Sequence, residues 1–342
     1  MNVVRFLLFP FAILYGWITD FRNFLYDKDI LKSYQFDLPV IAVGNLNVGG
    51  TGKTPQIEYL IRLLSHKYKV ATLSRGYKRQ SKGFILADET SNAKTIGDEP
   101  FQFFKKFPEI YVAVDANRKN GIEELLSLSN KPEVILLDDA FQHRKVKAGF
   151  YILLTAYDDL YCDDFMLPTG LLRESRNGSK RADIIIVTKC PKNLSEIAQI
   201  DIKKKLKFGK EVFFSFIDYD EKIYSSHQIL DLKAITNQQK LLIAGIAKPE
   251  PFFNYLKDDN TMILQFSDHH FFDEKDVQTI EAKAKNRIII TTEKDYVRLQ
   301  DKLNNEHLYH LPITSSFIAD QNNFDKIILN YVGKSSTNRK LH

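Results

Sequence analysis

The chain has 342 residues, enough for two domains of ordinary size, each with its own core. Hydrophobic residues make up 44% and charged residues 27%, a globular composition that excludes general disorder and a polytopic membrane protein. The formal net charge of +5 is too small to indicate nucleic-acid binding, although it suits an anionic substrate or an anionic membrane surface. The two cysteines, Cys162 and Cys190, lack metal-type spacing and are typical of a reducing cytosol.

An uncharged apolar run at 6–18 is the first feature along the chain. As a helix its 13 residues span only ~20 Å, against ~30 Å for a bilayer core, and Pro10 lies inside it. We expect 1–28 to form a membrane-associated helix in the interface, because Tyr15 and Trp17 are residue types enriched there. A helix packed on the protein's own core is one alternative. A cleaved signal peptide is the other, but no small-residue cleavage site follows.

From residue 38 onward, short apolar runs alternate with helical stretches. The helical spacing is clearest at 54–65, where Ile57, Leu60, Ile61 and Leu64 recur at i, i+3, i+4 and i+7. This alternation predicts an α/β fold, with a mostly parallel sheet flanked by helices. The predicted strands are 39–43, 69–73, 110–114, 134–137, 150–154 and 184–187, then 240–246, 261–266, 287–291 and 307–311 in a second, smaller α/β unit.

The pattern also predicts how the chain is divided. A lysine cluster at 203–210 precedes a stretch that we interpret as an extended connector. The last residues are polar, which favours a flexible tail. The predicted segments are 1–28 for the N-terminal helix, 29–210 for the first domain, 211–228 for the connector, 229–335 for the smaller domain and 336–342 for the tail.

The segment 44–55, GNLNVGGTGKTP, follows a predicted strand and precedes a predicted helix. In this context a GKT motif predicts a phosphate-binding loop rather than a glycine-rich surface turn, because backbone N–H groups and the helix N-terminus both attract phosphate. We expect Lys53 to reach the β- and γ-phosphates and Thr54 to hold Mg²⁺. Asn47 stands where the strict pattern has Gly, which predicts a left-handed backbone there. The predicted nucleotide-binding residues of the loop are Asn47, Val48, Gly49, Gly50, Thr51, Gly52, Lys53 and Thr54.

Two acids, Asp138 and Asp139, follow the predicted strand at 134–137. An Asp at this edge of a parallel sheet lies beside the phosphate-binding loop, where Mg²⁺ is held. Acids at strand ends are common on surfaces, so the signal depends on its combination with the GKT motif. A nucleotide-binding chain of this kind can still be a kinase, a GTPase, a motor or a metallochaperone.

Two polar motifs remain open to more than one interpretation. Asp98, in the GDEP turn, is either a base for a hydroxyl acceptor or a helix N-cap ahead of Glu99 and Pro100. The pair His269 and His270 is compatible with zinc, although no third ligand is evident, with tuning of a catalytic carboxylate, or with an exposed loop.

Other motifs are weaker on their own. Thr292 and Asp295 have the spacing of an N-terminal capping motif, and capping is the interpretation we favour there. Arg75, Arg118 and Arg173 are candidate phosphate or sugar clamps, but surface arginines are frequent.

Taken together, the motifs resemble those of the tetraacyldisaccharide 4′-kinase family, the lipid A 4′-kinases of Gram-negative bacteria. The matching stretches appear in the family's order between residues 44 and 295: GNLNVGGTGKTP, SRGYKR, GDEP, DDAFQH, LPTGLLRE, VTK, FSDHH and TEKD. Three residues depart from the common pattern, since Lys78 and Ala140 replace Gly and Ser175 replaces Pro. None of these departures removes a proposed catalytic group.

The resemblance implies a P-loop NTPase-like fold that uses ATP and Mg²⁺. The implied reaction transfers the γ-phosphate to the 4′-hydroxyl of an acylated glucosamine disaccharide 1-phosphate, at the cytoplasmic face of the inner membrane. It forms the lipid A precursor in lipopolysaccharide biosynthesis. The resemblance also implies Asp98 as the base, assisted by His269. The other implied site residues are Lys53, Asp138 and Asp139 for catalysis, Gln142 for ATP, Thr54, Asp138 and Glu99 for the metal, and Arg118, Arg173, Glu174 and Tyr77 for the substrate.

The expected partners are the acylated lipid and a membrane surface, with no nucleic acid and with a monomer slightly favoured. The alternative function is a metallochaperone-type or regulatory NTPase acting on a protein partner, which leaves the apolar N-terminus without a purpose. A nucleic-acid-stimulated ATPase would need aromatic residues among the lysines at 203–210. A membrane-tethered nucleotide sensor would bind ATP without turnover.

Overall fold

The computed structural model of the protein describes residues 7–303 and 306–339, with side chains described up to 335. Within these ranges it contains a long N-terminal helix and two mostly parallel sheets flanked by helices. The α/β fold predicted from the alternation of apolar runs and helical stretches is therefore confirmed.

The N-terminal helix, α1 (Phe9–Asp27), lies on the surface of the protein. Pro10 occupies its first turn, where no backbone N–H is needed. Only Ala12 and Thr19 of this helix are buried, so α1 is not a core helix. Phe6, which begins the predicted apolar run, lies outside the described residues. In the described part of the chain, no helix combines the length and the apolar character needed to span a membrane.

The first half of the chain supplies seven strands and four further helices, and it confirms all six strands predicted there to within two residues. A short 3₁₀ turn covers Tyr161–Asp163 and another covers Arg176–Arg181. In chain order the elements are β1 (Val40–Asn45), α2 (Lys53–Ser65), β2 (Val70–Ser74), β3 (Ile85–Leu86), α3 (Ala93–Ile96), α4 (Asp98–Lys106), β4 (Tyr111–Val114), α5 (Arg118–Ser127), β5 (Val134–Asp138), β6 (Phe150–Ala156) and β7 (Ile184–Thr188).

The second half continues the alternation, with a 3₁₀ turn at Leu232–Ile235. Its four predicted strands are confirmed as β11 to β14. The elements are α6 (Glu196–Leu206), β8 (Val212–Tyr219), β9 (Lys222–Tyr224), β10 (Ile229–Asp231), β11 (Lys240–Ala244), α7 (Glu250–Leu256), β12 (Thr261–Gln265), α8 (Glu274–Ala284), β13 (Ile288–Thr292), α9 (Glu293–Leu299), β14 (Leu308–Leu311), β15 (Ile313–Phe317) and α10 (Gln321–Arg339).

The larger sheet has nine strands in the order β15-β8-β7-β6-β1-β5-β2-β4-β3. Its central strand β1 is buried along its whole length, as expected for a parallel strand covered by helices on both faces. β1 pairs parallel with β5, and the register places Val43 opposite Asp138. The loop after β1 and the acids after β5 therefore meet at one edge of the sheet.

The smaller sheet has six strands in the order β10-β9-β14-β13-β11-β12. Four of them, β12, β11, β13 and β14, run parallel. Their carboxyl ends also meet at one edge. Two segments leave from that edge: the loop with His269 follows β12, and helix α9 follows β13.

The structure divides the chain differently from the predicted boundaries. The predicted connector, 211–228, contributes β8 to the larger sheet and β9 to the smaller one. The end of the predicted smaller domain returns to the larger sheet, because β15 pairs antiparallel with β8 and α10 buries Phe324 and Ile328 in its core. Part of the predicted tail is helical, since α10 continues to Arg339. The side chains from 336 onward and the whole of 340–342 lie outside the described residues.

Candidate active site

The loop between β1 and α2 has the backbone of an anion-binding loop. Gly49 (φ 127°) and Gly52 (φ 80°) adopt positive φ, a conformation that favours glycine. Gly52 is the N-cap of α2, and no side chain caps this helix end. The first N–H groups of α2 are therefore available to an anion.

Asn47 corrects one expectation about this loop, because its backbone is not left-handed. The residue pairs antiparallel with Leu172 instead, and its side-chain Nδ2 donates to Asp164 at 2.9 Å. Asn47 therefore ties the phosphate-binding loop to the 164–172 segment by a hydrogen bond that glycine lacks.

The other loop residues are tied to neighbouring strands and loops. The backbone N–H of Val48 donates to the carbonyl of Leu171 at 2.7 Å. Thr51 is buried, and its carbonyl accepts a hydrogen bond of 2.8 Å from the hydroxyl of Thr188. Gly50 lies close to the amine of Lys189, at 3.7 Å from the position of an added Cβ.

Lys53, Asp139 and Arg173 come together beside the loop. The Lys53 amine lies 3.5 Å from Asp139 and donates to Oδ1 of Asn45 at 3.2 Å. Arg173 donates to Asp139 through both Nη atoms, at 3.2 and 2.9 Å. Burial raises the pKa of Asp139, but Lys53 and Arg173 outweigh it and hold that pKa well below its usual range. Asp139 is therefore ionised, and it orients both cations.

Asp138, Thr54 and Glu99 form an oxygen-rich cluster at the same edge. Asp138 is 2% exposed, and its Oδ1 is buried without a hydrogen-bond partner in the described part of the chain. Burial, with Glu99 and Asp139 nearby, raises the pKa of Asp138 to about 7. The hydroxyl of Thr54 donates to Glu99 at 3.1 Å. An unpaired buried carboxylate oxygen beside a hydroxyl and a second carboxylate fits Mg²⁺, which binds through one or two carboxylates, phosphates and water.

Asp98 does not act as an N-cap, so that interpretation is wrong. Gly97 is the N-cap of α4, and Asp98 is the first residue inside the helix. Oδ2 of Asp98 accepts from Nε and Nη2 of Arg298, at 2.9 and 2.5 Å. Nδ1 of His269 lies 3.6 Å from the same oxygen. Burial raises the pKa of Asp98, but the contacts with His269 and Arg298 outweigh it and lower the pKa to about 2.

The two neighbouring histidines have different surroundings. His269 lies beside Asp98 and contacts the exposed ring of Tyr77 edge-on, with the ring centroids 5.5 Å apart. His270 instead pairs with Asp276 at 2.7 Å and stacks on Phe266. Across 7–303 and 306–339, no three His, Cys, Asp or Glu side chains are grouped to hold a metal, so the zinc interpretation has no support there.

Helix α9 supplies two cations that the sequence analysis did not assign. Arg298 binds Asp98, and the Lys294 amine donates to Glu99 at 2.5 Å. The capping predicted for this segment is confirmed, because Thr292 accepts a hydrogen bond from the backbone N–H of Asp295. Lys294 and Arg298 are four residues apart, which places them on one helix face. The four-residue spacing is the signal by which the sequence could have indicated this cationic helix face.

Two predicted substrate-binding residues are buried and already bonded within the protein. Arg118 is 3% exposed, and it donates to the carbonyls of Asp115 and Asp138 at 2.6 and 3.3 Å. Burial lowers the pKa of Arg118 to about 10. Glu174 is also 3% exposed and accepts from three side chains, those of Asn23 at 3.0 Å, Gln142 at 2.9 Å and Arg181 at 2.7 Å.

Gln142 lies at the same place and connects these groups to β1. Its Nε2 donates to Glu174 and to the carbonyl of Asn45, the latter at 2.8 Å. The carbonyl of Gln142 accepts from Arg22 of α1 at 2.8 Å. Gln142 and Glu174 therefore connect α1 to the strand that carries the phosphate-binding loop.

A family model described as tetraacyldisaccharide-1-P 4′-kinase matches residues 4–333. The chain belongs to this family. A tetraacyldisaccharide 4′-kinase of Flavobacterium psychrophilum is 67% identical, with 99% of this chain and 100% of the relative covered. A protein of the same name from Bacteroides thetaiotaomicron is 45% identical, with 97% and 94% covered.

A solved structure of this family matches the fold. LpxK from Aquifex aeolicus, in complex with ATP, is 31% identical and has a TM-score of 0.76. The match covers 96% of this chain and 100% of that one. The family resemblance and the P-loop NTPase-like fold inferred from the motifs are both confirmed.

Proposed function

We propose that the protein transfers the γ-phosphate of ATP to the 4′-hydroxyl of an acylated glucosamine disaccharide 1-phosphate, a step of lipid A biosynthesis. Membership of the tetraacyldisaccharide-1-P 4′-kinase family, across residues 4–333, is the observation that carries this proposal. A protein-directed metallochaperone or regulatory NTPase is not favoured, because a family model for a lipid-directed kinase covers nearly the whole chain.

The loop and its neighbours provide the means to hold a nucleotide. The free N–H groups at the start of α2 and the Lys53 amine bind phosphate oxygens. Asp139 keeps Lys53 in place. Mg²⁺ held by Thr54, Asp138 and Glu99 would neutralise charge on the phosphates during transfer.

Asp98 is the residue we propose to receive the proton of the acceptor hydroxyl. Its low pKa means that it is ionised and able to accept a hydrogen bond. It is also a weak base. The acceptor oxygen gains little charge early in a loose phosphoryl transfer, so orienting the hydroxyl matters more than basicity.

For the substrate, we infer direct contact for Tyr77 and Arg173 and supporting roles for Arg118 and Glu174. Tyr77 is exposed beside His269, and Arg173 lies beside Lys53 and is partly exposed. Arg118 and Glu174 are 3% exposed, which favours a role in holding neighbouring groups.

We also propose that α1 places the active site against the membrane. One side of the helix is bonded to the site loops, with the Tyr15 hydroxyl donating to the carbonyl of Arg173 and Asn23 donating to Glu174, each at 3.0 Å. Its other side is apolar and exposed, with Trp17 70% exposed. Such a helix lies in the plane of the interface, with aromatic residues at the headgroups. The exposed apolar side chains of α1 are Phe9, Phe11, Ile13, Leu14, Trp17, Ile18, Phe21 and Phe24, and Leu7 just before the helix is exposed as well.

A transfer assay tests the reaction. Purified protein is incubated with γ-labelled ATP, Mg²⁺ and the acylated disaccharide 1-phosphate, and the label in the lipid is measured. We expect labelled lipid from the unaltered protein and a loss of at least hundredfold in Lys53→Ala. Release of labelled phosphate with no label in the lipid would support the NTPase alternative.

Vesicle flotation tests the role of α1. With vesicles containing anionic lipid, we expect Trp17→Glu with Phe21→Glu to weaken binding at least tenfold, because each buried aromatic side chain contributes about 1.5–3 kcal/mol. The matched control, Ile229→Glu with Ile263→Glu, adds the same charge at exposed sites of the smaller sheet. Equal losses in both pairs would remove the support for α1 as the anchor.

A further inference from the structure

Arg298 contacts both residues of the proposed catalytic pair, Asp98 and His269. Its Nε and Nη2 donate to Oδ2 of Asp98, at 2.9 and 2.5 Å. The same Nη2 lies 3.1 Å from Nδ1 of His269. Asp98 and His269 are themselves 3.6 Å apart, too far for a good hydrogen bond, so Arg298 is the group that joins them.

The guanidinium of Arg298 is held in a fixed orientation from behind. Its Nη1 donates to Oδ1 of Asp295 at 3.0 Å. Asp295 is fully buried, and its Oδ2 accepts from the backbone N–H of Gly245 and the hydroxyl of Thr292, each at 2.8 Å. The Arg298 side chain is only 9% exposed. A planar guanidinium fixed at one end has little freedom at the other.

This arrangement leaves Oδ1 of Asp98 available to another group. All the contacts of Arg298 and His269 with Asp98 use Oδ2, and within the described residues Oδ1 of Asp98 has no hydrogen-bond partner. Arg298 is only a donor, so its contact with Nδ1 of His269 is a hydrogen bond in the tautomer in which that nitrogen accepts.

We propose that Arg298 is a positioning residue for the phosphoryl transfer: it fixes Oδ2 of Asp98 and Nδ1 of His269 together, and so directs Oδ1 of Asp98 to the acceptor hydroxyl. The proposal rests on the proposed function. Arg298 comes from the smaller sheet and Asp98 from the larger one, so this geometry forms only where the two sheets meet.

The test compares Arg298→Lys and Arg298→Met with the unaltered protein. Lys keeps the charge but not the forked geometry. We expect both variants to lose at least tenfold in kcat for lipid phosphorylation, with the KM for ATP within twofold. Arg298→Met should also lower the thermal midpoint, because it leaves the fully buried Asp295 without its cation, whereas Arg298→Lys keeps a charge there. Arg287→Met is the matched control, because Arg287 lies just before β13 in the smaller unit and its guanidinium donates to the carbonyl of Lys283 in α8, away from the site. We expect it to keep full activity.

A double-substitution cycle separates positioning from a structural role. If Arg298 acts through Asp98, Arg298→Met adds little to the loss in kcat of Asp98→Asn, whereas independent effects multiply. Multiplying effects, or full rescue by Arg298→Lys, would overturn the positioning role.

The outcomes also separate this proposal from the proposed function. No labelled lipid from the unaltered protein overturns the function itself. Labelled lipid from the unaltered protein, with kcat in Arg298→Lys within threefold of it, overturns only the role of Arg298. If Arg298→Met fails to fold, Arg298→Lys alone decides by the same criterion.

Discussion

The two sheets contribute opposite charges where they meet at the site. The larger sheet and its helices supply the acids Asp98, Glu99 and Asp138, whereas α9 of the smaller sheet supplies the cations Lys294 and Arg298. In each sheet the residues come from loops and helices at one edge of parallel strands, as the topology of α/β sheets favours. Separating the two sheets would leave Asp98, Glu99 and Lys294 without their charged partners, so the charges at this junction are balanced only when both sheets are present.

A second group of ionic contacts, behind the site, joins the same two sheets and their helices. Lys106 of α4 pairs with Glu58 of α2 at 2.7 Å and with Glu293 of α9. Glu58 is almost fully buried. Burial raises the pKa of Glu58, and the nearby negative charge of Glu293 raises it further. The junction between the sheets is therefore ionic both at the proposed base and behind it.

The largest expected effect lies on the acidic side of the junction. Asp98→Asn keeps the shape of the side chain but removes its proton acceptor, and we expect kcat to fall by about 10²–10⁴-fold while ATP binding is retained. The measurement is lipid phosphorylation at saturating Mg–ATP, with Asp301→Asn as the exposed control. A fall of less than tenfold would contradict the role of Asp98.

An intermediate effect is expected on the cationic side. Lys294→Met leaves Glu99 without its ammonium partner, and we expect a loss of about 1–3 kcal/mol in the free energy of unfolding. Mg–ATP should reduce this loss, because a cation near Glu99 replaces the missing charge. Thermal unfolding with and without Mg–ATP measures both effects, with Lys285→Met as the exposed control. Equal losses in the two conditions would show that Lys294 and Mg²⁺ do not share Glu99.

The smallest effect is expected for an ion pair inside the smaller sheet. Lys240 is buried and bonds to Asp258, and this hydrogen bond is the main cause that lowers the pKa of Asp258 from 3.8 to about 2. The pair therefore contributes stability that is fully present above about pH 4 and is lost as the pH falls towards 2. We expect Asp258→Asn to cost about 1–2 kcal/mol at neutral pH and to leave kcat unchanged.

Unfolding curves between pH 2 and 6 check this prediction for Asp258→Asn, with the neighbouring exposed Asp259→Asn as control. The variant should lack the part of the acid-induced destabilisation that comes from the pair. A large loss of kcat in Asp258→Asn would contradict this expectation, since charges within the smaller sheet would then matter for catalysis as much as those at the junction.

The half of the site on the larger sheet was predictable because its signals are local. A glycine-rich turn between a strand and a helix, and two acids at a strand end, predicted Lys53, Asp138 and Asp139 where the structure has them. The cations of α9 were not assigned, because Lys and Arg are common on helices. Only the sheet packing shows that Lys294 and Arg298 meet acids almost 200 positions earlier.

Burial was the other property that local patterns did not reveal. Glu174 is buried because Asn23, Gln142 and Arg181 surround its carboxylate. Asn23 lies 151 positions earlier, on a helix whose docking no motif indicates. The left-handed backbone predicted for Asn47 was wrong for a related reason. The prediction used the residue type alone, whereas the backbone there is set by pairing with Leu172.

The return of the chain to the larger sheet has a consequence for its synthesis on the ribosome. The smaller sheet is complete at β14, but the larger sheet still lacks β15 and α10 when that point emerges. Until then Phe213 of β8 is without the rings of Phe317 and Phe324 that cover it in the finished protein. The domain translated first is thus the last to be finished, and a growing chain exposes an apolar sheet edge of the kind that chaperones recognise.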